Sequence, residues 1–136
     1  MENEKKFDPH LIKRYQGKVS CGLFGISDDF IENYQSLDER FVKNKESTFF
    51  FKATGKSMMP TIFPGEILVV DRSISNFDHR VCVVNYNGEL LCKRVIIFSR
   101  HLILRSDNST FKDISVFDEQ SALVWGVVIA RCGDVR

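Results

Sequence analysis

The chain has no uninterrupted apolar run of the roughly 18 to 20 residues that a membrane-spanning helix requires, and its first residues, Met1 to Gln16, are polar and charged. Neither a membrane anchor nor a secretory leader is therefore expected, and the cytoplasm is the expected compartment. Charge of one sign is also missing: nineteen basic and eighteen acidic residues leave a net charge of +1, so bulk electrostatics give no reason to expect direct DNA binding. The four cysteines, Cys21, Cys82, Cys92 and Cys132, contain no C-x-x-C pair of the kind that holds a metal, and in a cytoplasmic chain they are expected to be reduced. No metal or cofactor is called for. Repeats and low-complexity stretches are absent. The residues ahead of Cys21 are too few for the three helices of a helix-turn-helix reader.

What is present fits one domain with an appendage. A hydrophobic share of 43% and twelve phenylalanines provide for a core. The first twenty or so residues show no amphipathic period and read as an arm, with residues 1–24 assigned to it and 25–136 to the domain. Ser27 followed by Asp28 and Asp29, with Phe30, Ile31 and Tyr34 at helical spacing, predicts a short helix reaching Gln35, and residues 37–42 a further turn. Beyond Glu46 the pattern turns to β. Thr48 to Ala53, Ile67 to Asp71, Val81 to Tyr86, Leu90 to Phe98, Leu102 to Arg105 and Ala122 to Ala130 are rich in Val, Ile, Leu and Phe and are separated by short polar or glycine-containing stretches. The fold class predicted is mostly β, compact and antiparallel.

Asn87-Gly88 accepts the positive φ angles of a two-residue type I′ turn and so sets a register. With that loop Tyr86 faces Glu89, Lys93 faces Cys82 and Cys92 faces Val83. Cys82 and Cys92 then point to opposite sides of the ribbon and cannot be bridged. Lys93 shares its side with Leu91, Val95, Ile97 and Cys82.

A lysine at its ordinary pKa of about 10.4 is neutral in about one molecule in 2,500 at pH 7. Lowering that pKa by about 3 units takes on the order of 4 kcal/mol of bias against the charged form, which burial among apolar side chains supplies. A neutral Lys93 would accept the hydroxyl proton of Ser57, in Gly55-Lys56-Ser57-Met58-Met59-Pro60, and make it a nucleophile. Gly55 would let the backbone bend and turn N–H groups, that of Ser57 among them, toward an oxyanion. Two plainer readings stay open: Lys93 and Arg94 as a charged pair ending a strand at the surface, and Ser57 as part of an ordinary turn. Met58 and Met59 read as core or cover. His10, His79 and His101 lie in the arm, a polar loop and a second turn, and offer no competing triad. Cys82 and Cys92 lack a basic partner that would make either a nucleophile.

Gly55-Lys56-Ser57-Met58, Pro64-Gly65-Glu66-Ile67-Leu68-Val69-Val70-Asp71, Asn87-Gly88-Glu89-Leu90-Leu91-Cys92-Lys93-Arg94 and Trp125-Gly126-Val127-Val128-Ile129 occur in this order and resemble the LexA-type self-cleaving family. The likeness runs from about Ser20 to the C-terminus and is nearest to the UmuD-type branch, the accessory subunits of translesion DNA polymerases. It implies the LexA-type C-terminal peptidase fold, a β-clip-like architecture. It further implies Ser57 as nucleophile, Lys93 as general base and the small-residue bond between Cys21 and Gly22 as substrate, in an SOS-response protein. The implied partners are a second copy in a homodimer, a RecA filament on single-stranded DNA as co-protease, and a UmuC-like polymerase catalytic subunit. Asn108-Ser109 also matches a family segment and carries no assigned chemistry. His79-Arg80 stands where relatives commonly have Gly-Asp, and Lys56 where an acid precedes the serine. Two alternatives remain: a repressor-like dimerisation module lacking its DNA-binding domain, and a β-domain binding protein without peptidase activity.

Overall fold

A computed structural model describes residues 12–15, 31–35, 41–118 and 120–135. The chain divides between Lys43 and Asn44 into two units. In the first unit the described residues are chiefly a hairpin, β1 (Ile12–Tyr15) and β2 (Ile31–Gln35), antiparallel with Ile12 opposite Gln35. Residues 31–35 are therefore a strand where helical spacing predicted a helix. A helix this short is marginal because nucleation fixes several residues before hydrogen bonds repay it. Pairing with β1 instead gives those backbone groups partners at once. Residues 27–30, and most of the turn predicted over 37–42, lie outside the described residues.

The second unit holds a seven-stranded antiparallel sheet in the order β3 (Thr48–Lys52), β4 (Ile67–Asp71), β9 (Ala122–Cys132), β5 (Arg80–Tyr86), β6 (Glu89–Phe98), β7 (His101–Arg105) and β8 (Ile114–Val116). The six strands expected from composition are all there within a residue or two at each end. The seventh, β8, was not expected, because three residues are too few to show a period. The mostly β, antiparallel class is as predicted.

The hairpin register is also as predicted: Tyr86 pairs with Glu89, Lys93 with Cys82 and Cys92 with Val83. Asn87 and Gly88 take φ values of 52° and 86°, the left-handed pair that a type I′ turn demands. Alternation along β5 then sorts side chains into two clusters. Cys82 and Val84 join Val95, Leu104, Val116 and Val127, while Val81 and Val83 pack with Met58, Ile62, Leu68 and Val70 on the other side. Cys92 belongs to that second cluster, so the two cysteines lie apart, and Cys82, Cys92 and Cys132 are free thiols.

Strands β9 and β5 supply residues to both clusters, which accounts for the runs of apolar residues along them. Gly126 of β9 sits where Val70 comes closest: a Cβ added there would lie 2.7 Å from Val70 Cγ1, and Val70 is fully buried. Gly126→Ala is expected to cost about 1–3 kcal/mol, the usual penalty of overpacking, read as a lowered urea midpoint with unchanged slope. The departure at His79 has a visible consequence, since His79 takes φ 63°, a conformation that glycine adopts freely and L-residues rarely do. Among the described residues no helix is long and apolar enough to cross a membrane.

Candidate active site

Ser57 follows β3 on a turn in which the Met59 N–H donates to Lys56 O at 3.2 Å and the Ile62 N–H to Met58 O at 2.9 Å. Met58 and Ile62 anchor the turn, since both side chains are buried in the second cluster. Met58 is thus a core residue, as its type suggested. Gly55 bends the chain ahead of the serine with φ 76°. A Cβ there would meet nothing within 4 Å, so the backbone hand, and not space, calls for glycine. The turn leaves Ser57 half-buried on the wall of a cleft of about 220 Å³.

Lys93, on β6, lines the same cleft beside Leu91 and Cys92. Residues 36 positions apart in sequence are brought to one cavity because β6 and the turn after β3 both border it. No histidine is among the described residues of the cleft. Lys93 is half-buried, and burial holds its amine below the usual lysine range, with Cys92 opposing the shift. No carboxylate among the described residues contributes. The nearby Asp107 is committed elsewhere: it accepts from Arg94 Nε at 2.9 Å and Arg94 Nη2 at 2.8 Å, and from Thr61 Oγ1 at 2.5 Å. The Arg94 hydrogen bonds hold its carboxyl below the usual range. Arg94 therefore carries the ion pair, which leaves its neighbour no counter-ion among the described residues to stabilise the ammonium.

The reading of Lys93 and Arg94 as an exposed charged pair does not describe this arrangement. Lys56, the other departure from the family pattern, is exposed and takes no part in the Lys93 shift. Burial pushes the Cys82 thiol up to about 11 and that of Cys92 up to about 12, so neither is a ready nucleophile. Cys21 and Gly22, the expected scissile pair, lie outside the described residues.

No role was expected of residues 106–108, which begin the loop between β7 and β8. Buried Ser106, 4% exposed, accepts a hydrogen bond from Lys93 Nζ through its Oγ at 2.8 Å. Asp107 makes the links just described, and its N–H donates to Met58 Sδ at 3.4 Å. The Asn108 N–H donates to Ser57 O at 2.9 Å, and its side-chain amide to Lys56 O at 3.0 Å. Three consecutive residues thus hold the lysine on one side and the serine turn on the other. The one sequence signal was Asn108-Ser109, a matching segment without an assigned role.

The sequence matches the family described as Peptidase S24-like over residues 13–129. It is similar to Protein MucA of Salmonella typhimurium, 28% identical over 124 residues that cover 88% of this chain and 82% of the relative. Protein ImpA of the same organism is 24% identical over 123 residues, covering 89% and 83%. A LexA repressor of Clostridium kluyveri is 26% identical over 103 residues, covering 75% of this chain and 51% of the repressor.

Proposed function

The chain belongs to the peptidase S24-like family, and from that membership we propose that it is a self-cleaving serine peptidase of the UmuD type. Ser57 Oγ attacks the carbonyl carbon of Cys21 while neutral Lys93 Nζ takes the hydroxyl proton. The backbone N–H of Ser57 stabilises the oxyanion. Collapse of the tetrahedral intermediate breaks the bond to Gly22, whose amine leaves with the proton that Lys93 carried. Water then hydrolyses the acyl-enzyme, again with Lys93 as base. The small side chains of Cys21 and Gly22 suit a bond that must enter a crowded cleft.

The observation that carries this reading is a serine and a burial-depressed lysine lining one cleft with no histidine among its described residues. The physiological setting rests on the resemblance. It is an SOS-response accessory subunit that works as a homodimer, is activated by the RecA filament on single-stranded DNA, and serves a UmuC-like polymerase subunit in lesion bypass once trimmed.

Mass spectrometry of purified protein, incubated at alkaline pH or with RecA filament, tests enzyme, substrate and site together. One new pair of fragments, separated between Cys21 and Gly22, is expected from the wild type and none from Ser57→Ala. Cuts elsewhere, or cutting that survives Ser57→Ala, would defeat the assignment.

A further inference from the structure

Neutral lysine amines are effective bases only when the lone pair faces the proton to be taken, and a lysine side chain ends in a freely rotating group on a flexible stem. Strand β6 fixes the Lys93 backbone through its pairing with Cys82, but that leaves the tip unaddressed. Among the described residues the tip has one hydrogen-bond partner, the Ser106 hydroxyl at 2.8 Å. That hydroxyl is well placed to hold still. Its residue is buried, it follows the fully buried Leu104 by two positions, and it precedes the residues whose links to Arg94, Thr61 and the Ser57 turn tie the loop down.

We propose that Ser106 is a positioning residue for the Lys93 amine, accepting one of its N–H groups and thereby aiming its lone pair at the Ser57 hydroxyl. This rests on the peptidase reading given above. Ser106 does not touch the scissile bond and exchanges no proton. Its oxygen binds an N–H of the base in both protonation states, so the amine keeps one orientation through the proton cycle. The same loop fixes the serine from the other side, because the Asn108 N–H holds Ser57 O. Base and nucleophile are thus registered against a common three-residue support.

Positioning and mere packing predict opposite movements of the pH–rate profile. An acceptor oxygen favours the charged amine, so its removal leaves burial less opposed and lowers the pKa of Lys93 further. Loosened packing would instead admit water and raise that pKa toward the ordinary lysine value. Self-cleavage of the full-length protein, followed from about pH 7 to about pH 11 to span the lysine range, is expected to show a plateau rate about 10- to 100-fold lower in Ser106→Ala, the usual cost of a misplaced catalytic group. The acidic limb should move to lower pH. Ser106→Thr, which retains the hydroxyl, should recover most of the plateau.

A second measurement does not depend on cutting. The Lys93 side chain, titrated by NMR in Ser57→Ala and in Ser57→Ala with Ser106→Ala, should have the lower pKa in the double variant. An unchanged plateau in Ser106→Ala, a limb that moves upward, or equal Lys93 titrations in the two backgrounds would each overturn the role of Ser106. A wild type that never cuts would overturn the peptidase reading, and this one with it; a wild type that cuts no faster than Ser106→Ala overturns this one alone.

Discussion

Lys93→Arg is expected to abolish self-cleavage, with a loss of at least about 10³-fold, in the upper part of the roughly 10²–10⁴ range that general-base catalysis supplies. Arginine retains the charge and much of the length of lysine, but its guanidinium does not deprotonate in the accessible pH range and so has no lone pair to offer. Lys93→Arg therefore separates a base from a structural cation: if the positive charge were what mattered, arginine would substitute. The wild-type pH dependence follows from the same shift. Burial lowers the Lys93 pKa, so the neutral fraction, and with it the cleavage rate, should rise about tenfold per pH unit below that pKa and level off above it. The plateau should be reached below the ordinary lysine value of about 10.4. A stopped-time assay of the intact chain across pH, for wild type and Lys93→Arg, measures both effects. Cutting by Lys93→Arg at the same bond would remove Lys93 from the role of base.

Leu104→Ala is expected to give the largest loss of stability. Leu104 is fully buried on β7, where it pairs with fully buried Val95 and with Ile114. Truncating such a leucine removes transfer free energy and leaves a cavity, together about 2–5 kcal/mol. For a unit of this size that corresponds to a fall in Tm of roughly 10–30 °C. Urea unfolding in the Ser57→Ala background, where self-cutting cannot confuse the transition, gives the value directly. Leu104→Met, which nearly conserves volume, should cost less than about 1.5 kcal/mol. A loss below about 1 kcal/mol for Leu104→Ala, well under the usual range for such a truncation, would mean that the cluster around Val84, Val95 and Val127 closes over the gap without it. Because Ser106 follows Leu104 by two residues, Leu104→Ala should also slow cleavage under conditions where the protein remains folded.

Local and long-range determinants separate clearly in this chain. Asn87-Gly88 alone determined the pairing of β5 with β6, because a two-residue loop of that type admits one register. From that register came the opposition of Lys93 to Cys82 and the separation of Cys82 from Cys92. The segment 31–35 shows the reverse case. Its spacing was helical, yet it is a strand, because a partner strand outweighed a weak local preference. Strand β8 was unreadable for the same reason: Ile114–Val116 is a strand only by virtue of β7 beside it.

The β class, the hairpin register, and Ser57 and Lys93 as the pair worth considering are legible in the order of residues, since turn chemistry and side-chain type are local properties. It takes the folded sheet to show that the two residues share a cleft, that Arg94 and not Lys93 takes the Asp107 carboxylate, and that the Ser106 hydroxyl accepts from the amine. These depend on which strands lie side by side and on which groups are shut away from water, both of which are set by burial of apolar surface across the whole sheet.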